Sequence, residues 1–226
     1  MKIELHAHTD ESSGCGKMPA EELIGRFKGA GYGVIVITDH FVGKKETDES
    51  YHERAQKWIR GYKNAKIAGD RMGVHVLLGA EVRFASRPED ILIFGMKEEY
   101  AEWMFSLMDS DMEQAEFYRL MKEKGMLVVQ AHPFRKGLVR LDQKYLDGSE
   151  VYNGNARHDN KHDLAHEFGL AGGEKFIKTS GSDAHQTMDV ARGGVISEKP
   201  ITNNDELIAF LTANPDPERI ETPEVK

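Results

Sequence analysis

Residues 34–40 read VIVITDH. The first four are continuously rather than alternately apolar, the pattern of a strand covered on both faces, as parallel strands between helices are. The segment then closes on Asp39 and His40, two residues able to hold a cation or move a proton. The same construction recurs in both directions along the chain. KIEL (2–5) leads into His6 and His8, VHVLLGA (74–80) into Glu81, MLVVQA (126–131) into His132, and KFIKTSGS (175–182) into Asp183 and His185. Strands are expected at 3–5, 34–37, 74–78, 91–94, 126–129, 150–152, 176–179 and 195–196. Amphipathic stretches fall between them: one opens at Pro19, buries Leu23, Ile24 and Phe27, and can end at Gly29 or Gly31. Others span 51–69, 111–124, 155–168 and 204–213. Strand and helix alternating about seven times indicates an α/β barrel or a doubly wound sheet.

In an α/β barrel the carboxyl ends of the strands converge on one rim, where the active site lies. Five of the expected strand ends carry a metal-competent residue. Imidazoles and carboxylates crowded on one rim would compete for protons unless cations held them together, so a metal cluster is the simplest explanation. The HxH pair is the most specific local signal, because its side chains point the same way from an extended chain. TDH, GAE and AHP are weak one by one.

Composition narrows the alternatives. The chain has 226 residues, 39% hydrophobic and 30% charged, which fits one soluble domain. It has no apolar run near the ~18 residues of a membrane helix. The first residues do not read as a secretory signal, so a cytoplasmic location is expected. One cysteine, Cys15, excludes a disulfide framework and a multi-thiolate zinc site. A net charge of −8 argues against binding nucleic-acid backbones, whose partners carry basic faces. Small anionic substrates stay open if cations supply local positive charge. Residues 214–226, rich in proline and charge, are expected to form a flexible tail after a single domain over 1–213.

The ordered set HAH (6–8), TDH (38–40), GAE (79–81), AHPFR (131–135) and GSDAH (181–185) resembles the PHP family, named for polymerase and histidinol phosphatase. The likeness runs from Ile3 to about Ile196. It implies a distorted seven-stranded (β/α) TIM-like barrel with its metal site at the C-terminal ends of the strands. It also implies two or three divalent ions (Mn, Fe or Zn) and hydrolysis of phosphoesters, on a small phosphomonoester or nucleotide-type substrate. By that likeness His6, His8, Glu81 and Asp183 hold one ion, Glu81 bridges to a second that also takes His132, and His40 and His185 belong to a third. Two positions depart from the family pattern. Ser13 stands where Asp or His is common, with Glu11 as a replacement ligand, and Leu92 stands on the strand where a histidine is common.

Other expectations concern the residues around this set. Arg135 is expected to bind the substrate anion and stabilise charge in the reaction, with Arg192 and Asn153 as further substrate contacts and Arg83 and Asn155 as weaker candidates. His185 is expected to donate a proton to the leaving oxygen. Cys15 reads as a small buried filler. His158, His162 and His166, four apart, read as one solvated helix face. The methionines between Met96 and Met126 read as core. An amidohydrolase-type enzyme and a non-catalytic metal-stabilised domain serving a partner are the alternatives; the first lacks an evident bridging lysine, and activity would decide the second.

Overall fold

The computed structural model describes residues 1–110 and 112–222. Seven strands make the barrel wall: β1 (Lys2–Ala7), β2 (Tyr32–Ile37), β4 (His75–Arg83), β5 (Ile91–Phe94), β6 (Leu127–Gln130), β7 (Gly148–Asn153) and β8 (Ile177–Gly181). They pair in that order. The short β3 (His40–Val42) runs beside β4, and β9 (Gly193–Ile196) and β10 (Arg219–Glu221) extend the sheet antiparallel from β1. The wall nearly closes between β8 and β1. Ala7 bridges Ala184, the His8 amide donates to the Ala184 carbonyl at 3.0 Å, and the Ala184 amide donates to the His6 carbonyl at 3.2 Å. The seam of the barrel therefore lies between the HAH and SDAH segments.

β5 is the distortion. It runs antiparallel to both β4 and β6, whereas β1–β2, β2–β4, β6–β7 and β7–β8 are parallel. Its reversed direction places its amino end, not its carboxyl end, at the rim where the other strands finish.

The barrel interior is filled by Ile3, Leu5, Val34, Val36, Leu77, Leu92, Phe94, Leu127 and Val129, packed with Leu207 and Leu211 of α6 (Asn204–Ala213). Outside the wall, α1 (Ala20–Gly29) buries Leu23, Ile24 and Phe27. The long α2 (Tyr51–Met72) opens on a Ser50–Glu53 capping box and ends at Gly73 in the left-handed conformation, the pair of signals that most firmly fixes helix ends. α3 (Ala101–Met108) and α4 (Gln114–Glu123) carry Met104, Met108 and Met121 into the second core cluster, with Met96 and Met126. No helix among the described residues is long and apolar enough to cross a membrane.

Three expectations are corrected here. α5 covers His162–Ala171, so 155–161 is loop and His158 is not on its face. The asparagine-rich loop keeps its polar side chains for the site instead of for a helix. The stretch expected to hang free from 214 pairs as β10, with the Lys178 amide donating to the Pro215 carbonyl at 2.7 Å and Tyr152 Oη to the Thr222 carbonyl at 2.6 Å; residues 223–226 lie outside the described residues. The helix expected from Asp111, itself outside them, begins at Gln114.

Candidate metal centre

β1 delivers two histidines to the barrel mouth because it is bulged. Ile3 and Leu5 face the interior, and strict alternation would turn Ala7 inward and His6 outward. Instead the register with β2 shifts between Glu4 and Ala7, and Ala7 packs among α1 side chains outside. The irregularity re-aims both imidazoles into the mouth. The buried Glu4 carboxylate holds it: Oε1 accepts from the amides of Leu5 at 3.0 Å, His6 at 2.8 Å and Ser182 at 2.8 Å. Burial still pushes Glu4 up to about 7.

Two other site residues sit on left-handed backbone, His132 at φ 24° and Asp183 at φ 49°. Such conformations cost about 1–2 kcal/mol for a residue with a Cβ and persist only when neighbours impose them. The His132 amide is pinned to Glu150 Oε2 at 3.0 Å, and the Asp183 carbonyl accepts from Asn155 Nδ2 at 3.3 Å and pairs with His185 Nδ1 at 3.0 Å.

The side chains converge tightly. His6 Nε2 lies 3.3 Å from Glu81 Oε1 and 3.5 Å from Asp183 Oδ1; His8 Nε2 lies 3.5 Å from Glu81 Oε2 and 3.4 Å from Asp183 Oδ1. A tetrahedral cation with bonds of about 2.1 Å sets its donors roughly 3.4 Å apart. His6 Nε2, His8 Nε2 and Asp183 Oδ1 are buried without a hydrogen-bond partner, and Glu81 Oε2 beside them faces His40 Nδ1 at 2.8 Å. An unsatisfied buried polar atom costs about 1–3 kcal/mol, so three facing one another call for a shared ligand. This donor set fits a divalent ion. Four overlapping triads have one donor atom per residue within 4.8 Å of the others: His6, His8 and Glu81; His6, His132 and Asp183; Glu81, Asp90 and His132; and His8, His40 and His185.

Protonation expresses the same demand for positive charge. Burial pulls His6 down, but Glu150, Asp183 and Glu81 outweigh it and raise His6 well above the imidazole range. Burial likewise opposes His40, which Glu81 raises, and His185, which Asp183 and Cys15 lift to about 9. His8 goes the other way, lowered by burial and then by His40 and His185. Glu81 and Asp183 fall well below the carboxylate range against burial, held there chiefly by His6.

Around the donors lies a ring of fixed polar groups. Glu150 Oε1 pairs with His6 Nδ1 at 3.0 Å, which leaves Nε2 for the mouth. Arg135 Nη2 donates to Asp183 Oδ2 at 2.6 Å and to Asn153 Oδ1 at 3.1 Å, and its Nε to Asn160 Oδ1 at 3.0 Å. Asn153 Nδ2 donates to Glu150 Oε2 at 2.8 Å. Arg83 grips Asp90 with two bonds of 2.6 Å.

The rim therefore gathers His6, His8, His40, Glu81, His132, Asp183 and His185. It does not gather Glu11, whose carboxylate accepts from the Ala20 amide at the start of α1 and from Asn64 Nδ2; a negative side chain there serves the helix terminus. Asn153 gives its amide to Glu150, Asp183 and Arg135 and so positions these groups. Arg135 is similarly committed to Asp183. Arg192 donates through Nε to the Gly154 carbonyl at 2.7 Å. Cys15 is exposed, not a buried filler. Partial burial raises its thiol, yet hydrogen bonds with His185 and His40 hold it down at about 6.

Glu150, Glu4 and Asp90 were not read from the sequence as site residues. Asp90 belongs because β5 is reversed: Leu92 pairs with Glu81 and faces the interior, and Asp90, two residues before it, keeps the same face at the rim. Burial and Glu81 raise Asp90. The signal available was the acidic residue before ILIF, invisible to a rule that looks only after strands.

The family profile of the PHP domain matches residues 4–167. The chain belongs to the PHP family. No curated protein matches this PHP chain. Solved structures share its fold. One is a two-domain protein from Bacteroides vulgatus containing a predicted PHP-like metal-dependent phosphoesterase, with 15% identity and TM-score 0.64, covering 98% of this chain and 65% of that one. Another is PsfC from Pseudomonas syringae, with 16% identity and TM-score 0.67, covering 98% and 91%. A third is a lesion-specific endonuclease from Pyrococcus furiosus, with 16% identity and TM-score 0.60, covering 96% and 57%. The PHP chain thus spans just under two thirds of the Bacteroides protein. At these identities the likeness is one of fold.

Proposed function

We propose that this PHP chain is a metal-dependent phosphoesterase acting on a small phosphomonoester or nucleotide-type substrate. The observation that carries the reading is the set of buried, unpartnered donor atoms His6 Nε2, His8 Nε2 and Asp183 Oδ1, with Asp183 Oδ1 3.5 Å from His6 and 3.4 Å from His8, beside the Glu81 carboxylate 3.3–3.5 Å from both histidines. His6, His8, Glu81 and Asp183 would hold one ion, Glu81 with Asp90 and His132 a second, and His40 with His185 a third. Two or three divalent ions there would acidify water near neutral pH and screen charge on phosphoryl oxygens. Arg135 acts through Asp183: by occupying Oδ2 it turns Oδ1 towards His6 and His8 and adds positive charge beside the anion site. Glu150 fixes the tautomer of His6. When no ion fills the third position, His185, its Nδ1 held by Asp183, would pass a proton to a leaving oxygen from Nε2.

The test is hydrolysis of an aryl phosphate by protein loaded with manganese, iron or zinc, beside aryl diester and amide substrates. Turnover of a phosphoester that His8→Ala and Asp183→Ala abolish supports the reading. Absence of turnover across both ester classes with every metal, in folded and metal-loaded protein, would overturn it.

A further inference from the structure

The two aspartates of the rim are held in different ways. Arg135 takes one oxygen of Asp183, Nη2 to Oδ2 at 2.6 Å, and leaves Oδ1 unpartnered between His6 and His8. An orienting partner treats a ligand carboxylate in this way. Arg83 takes both oxygens of Asp90, Nε to Oδ1 and Nη2 to Oδ2, each at 2.6 Å. Asp90 Oδ2 is also the oxygen that lies 3.9 Å from His132 Nε2. The atom that Asp90 offers to the second position is therefore already held by a cation.

Strand register explains the pairing. Glu81 pairs with Leu92 and Val82 with Ile91, so the next step of the antiparallel ladder sets Arg83 opposite Asp90. Arg83 stands two residues after Glu81 and Asp90 two before Leu92, which puts both side chains on the face that carries Glu81. The rest of the second position is satisfied as well. Glu81 Oε1 and His132 Nε2 face each other at 3.0 Å, and Leu92, where the family pattern has a histidine, is buried in the barrel interior. The contrast is with the first position, whose imidazole nitrogens and Asp183 Oδ1 have no partner. A forked guanidinium neutralises Asp90 and sets a positive charge beside any ion that approaches it. The two partners differ in freedom: Asp90 is buried, while the Arg83 side chain is 39% exposed.

We infer that Arg83 is a built-in counter-ion that competes with the second metal ion for Asp90, so that the first position fills at low metal concentration and the second only where metal suffices to turn Arg83 outwards. This role rests on the metal-dependent reading above and concerns the occupancy of one position within it. The sign of the effect on removing Arg83 is diagnostic. Loss of an orienting partner weakens metal binding, whereas loss of a competing cation strengthens it.

Titration of metal-free protein with zinc, followed by calorimetry, reads that sign. The equivalent of zinc that Asp90→Asn removes marks the second position. In Arg83→Met, which keeps an apolar stem and drops the charge, that equivalent should bind about tenfold more tightly or better, with the others unchanged. Adding Asp90→Asn should abolish the gain. A native chain that lacks the equivalent where Arg83→Met has it gives the same support. In the native chain the Arg83 Nε–H, bonded to Asp90, should give a nitrogen–proton correlation that moves or vanishes as this equivalent binds; the signal needs no variant and decides the matter if Arg83→Met does not fold. Zinc held at this position by Arg83→Met no more tightly than by the native chain, or an Arg83 Nε–H signal unmoved as it binds, would overturn the role of Arg83 and leave the phosphoesterase reading standing. Failure of native and variant chains alike to take up zinc would overturn both.

Discussion

Replacing Glu150 by glutamine tests whether the buried carboxylate sets the ligand state of His6. The change keeps the size of the side chain but removes one acceptor. In the native chain Oε1 pairs with His6 Nδ1 at 3.0 Å, while Oε2 accepts from the His132 amide at 3.0 Å and Asn153 Nδ2 at 2.8 Å. A glutamine oxygen can serve only one side. Facing it towards His6 sets the amide NH2 against two donors; facing it towards His132 and Asn153 sets NH2 against one. The second arrangement costs less, and it makes His6 Nδ1 an acceptor, which moves the ring proton onto Nε2. That nitrogen lies 3.3 and 3.5 Å from Glu81 and Asp183 and is the one offered to an ion. Loss of such an orienting partner costs roughly 10–100-fold in metal affinity, or about 1.4–2.7 kcal/mol. Competition with a chelator of known affinity measures it, with thermal melting of the metal-free proteins as the control for folding. A Glu150→Gln protein that melts normally and holds its tightest ion within about twofold of the native affinity, well short of that range, would refute the reasoning.

Three other outcomes follow from the same geometry. Asp90→Asn should lower metal content by one ion per chain and weaken the second position by about tenfold or more, since it turns one of three donors from an anionic carboxylate oxygen into a neutral amide oxygen; elemental analysis of dialysed protein reads this, and an unchanged count would exclude Asp90. Leu92→His should not add a ligand but should destabilise the fold by about 2–5 kcal/mol, because the side chain is fully buried in the barrel interior. Denaturant unfolding checks it, and native stability with an extra bound ion would show that position 92 faces the mouth. Gly61→Ala, inside α2, would ordinarily stabilise a helix by about 1 kcal/mol, yet here a Cβ would stand 2.0 Å from Thr9 Oγ1 and 2.4 Å from Asp39 Oδ2. A net loss of about 1–3 kcal/mol is expected, and a rise in melting temperature would contradict it.

What could be read from the sequence was whatever obeyed strand logic. Continuous apolar runs marked the parallel strands, and the residues that end them, His6 to His8, His40, Glu81, His132, Asp183 and His185, are the ones the barrel brings to one rim. The readings failed where the chain breaks that logic. β5 runs backwards, so its rim residue is Asp90, before the strand, and the position taken for a lost ligand, Leu92, is interior packing. Glu11 has ligand chemistry but sits where the amino end of α1 claims it. Antiparallel reversal and helix capping are decided by contacts between segments distant in sequence, which local hydrophobic pattern does not encode.

The polar ring shows the same limit from another side. Glu4 and Glu150 lie inside apparent strands, where a buried acid looks like a fault in the pattern. Each is wholly engaged by donors that arrive from elsewhere in the chain: Ser182 reaches Glu4, and His6, His132 and Asn153 reach Glu150. A buried carboxylate with its lone pairs filled is a stable part of a network, and one without partners would be expelled or protonated. Acids that interrupt an apolar strand next to a histidine motif are therefore better read as the partners that aim the ligands than as surface residues. Glu4, before His6 and His8, stands in that relation, and Glu150 reaches His6 and the His132 amide across the barrel instead. A metal site of this kind consequently depends on residues that never touch the ion, and substitutions at Glu4 should loosen the HAH and SDAH segments together, because one carboxylate holds both.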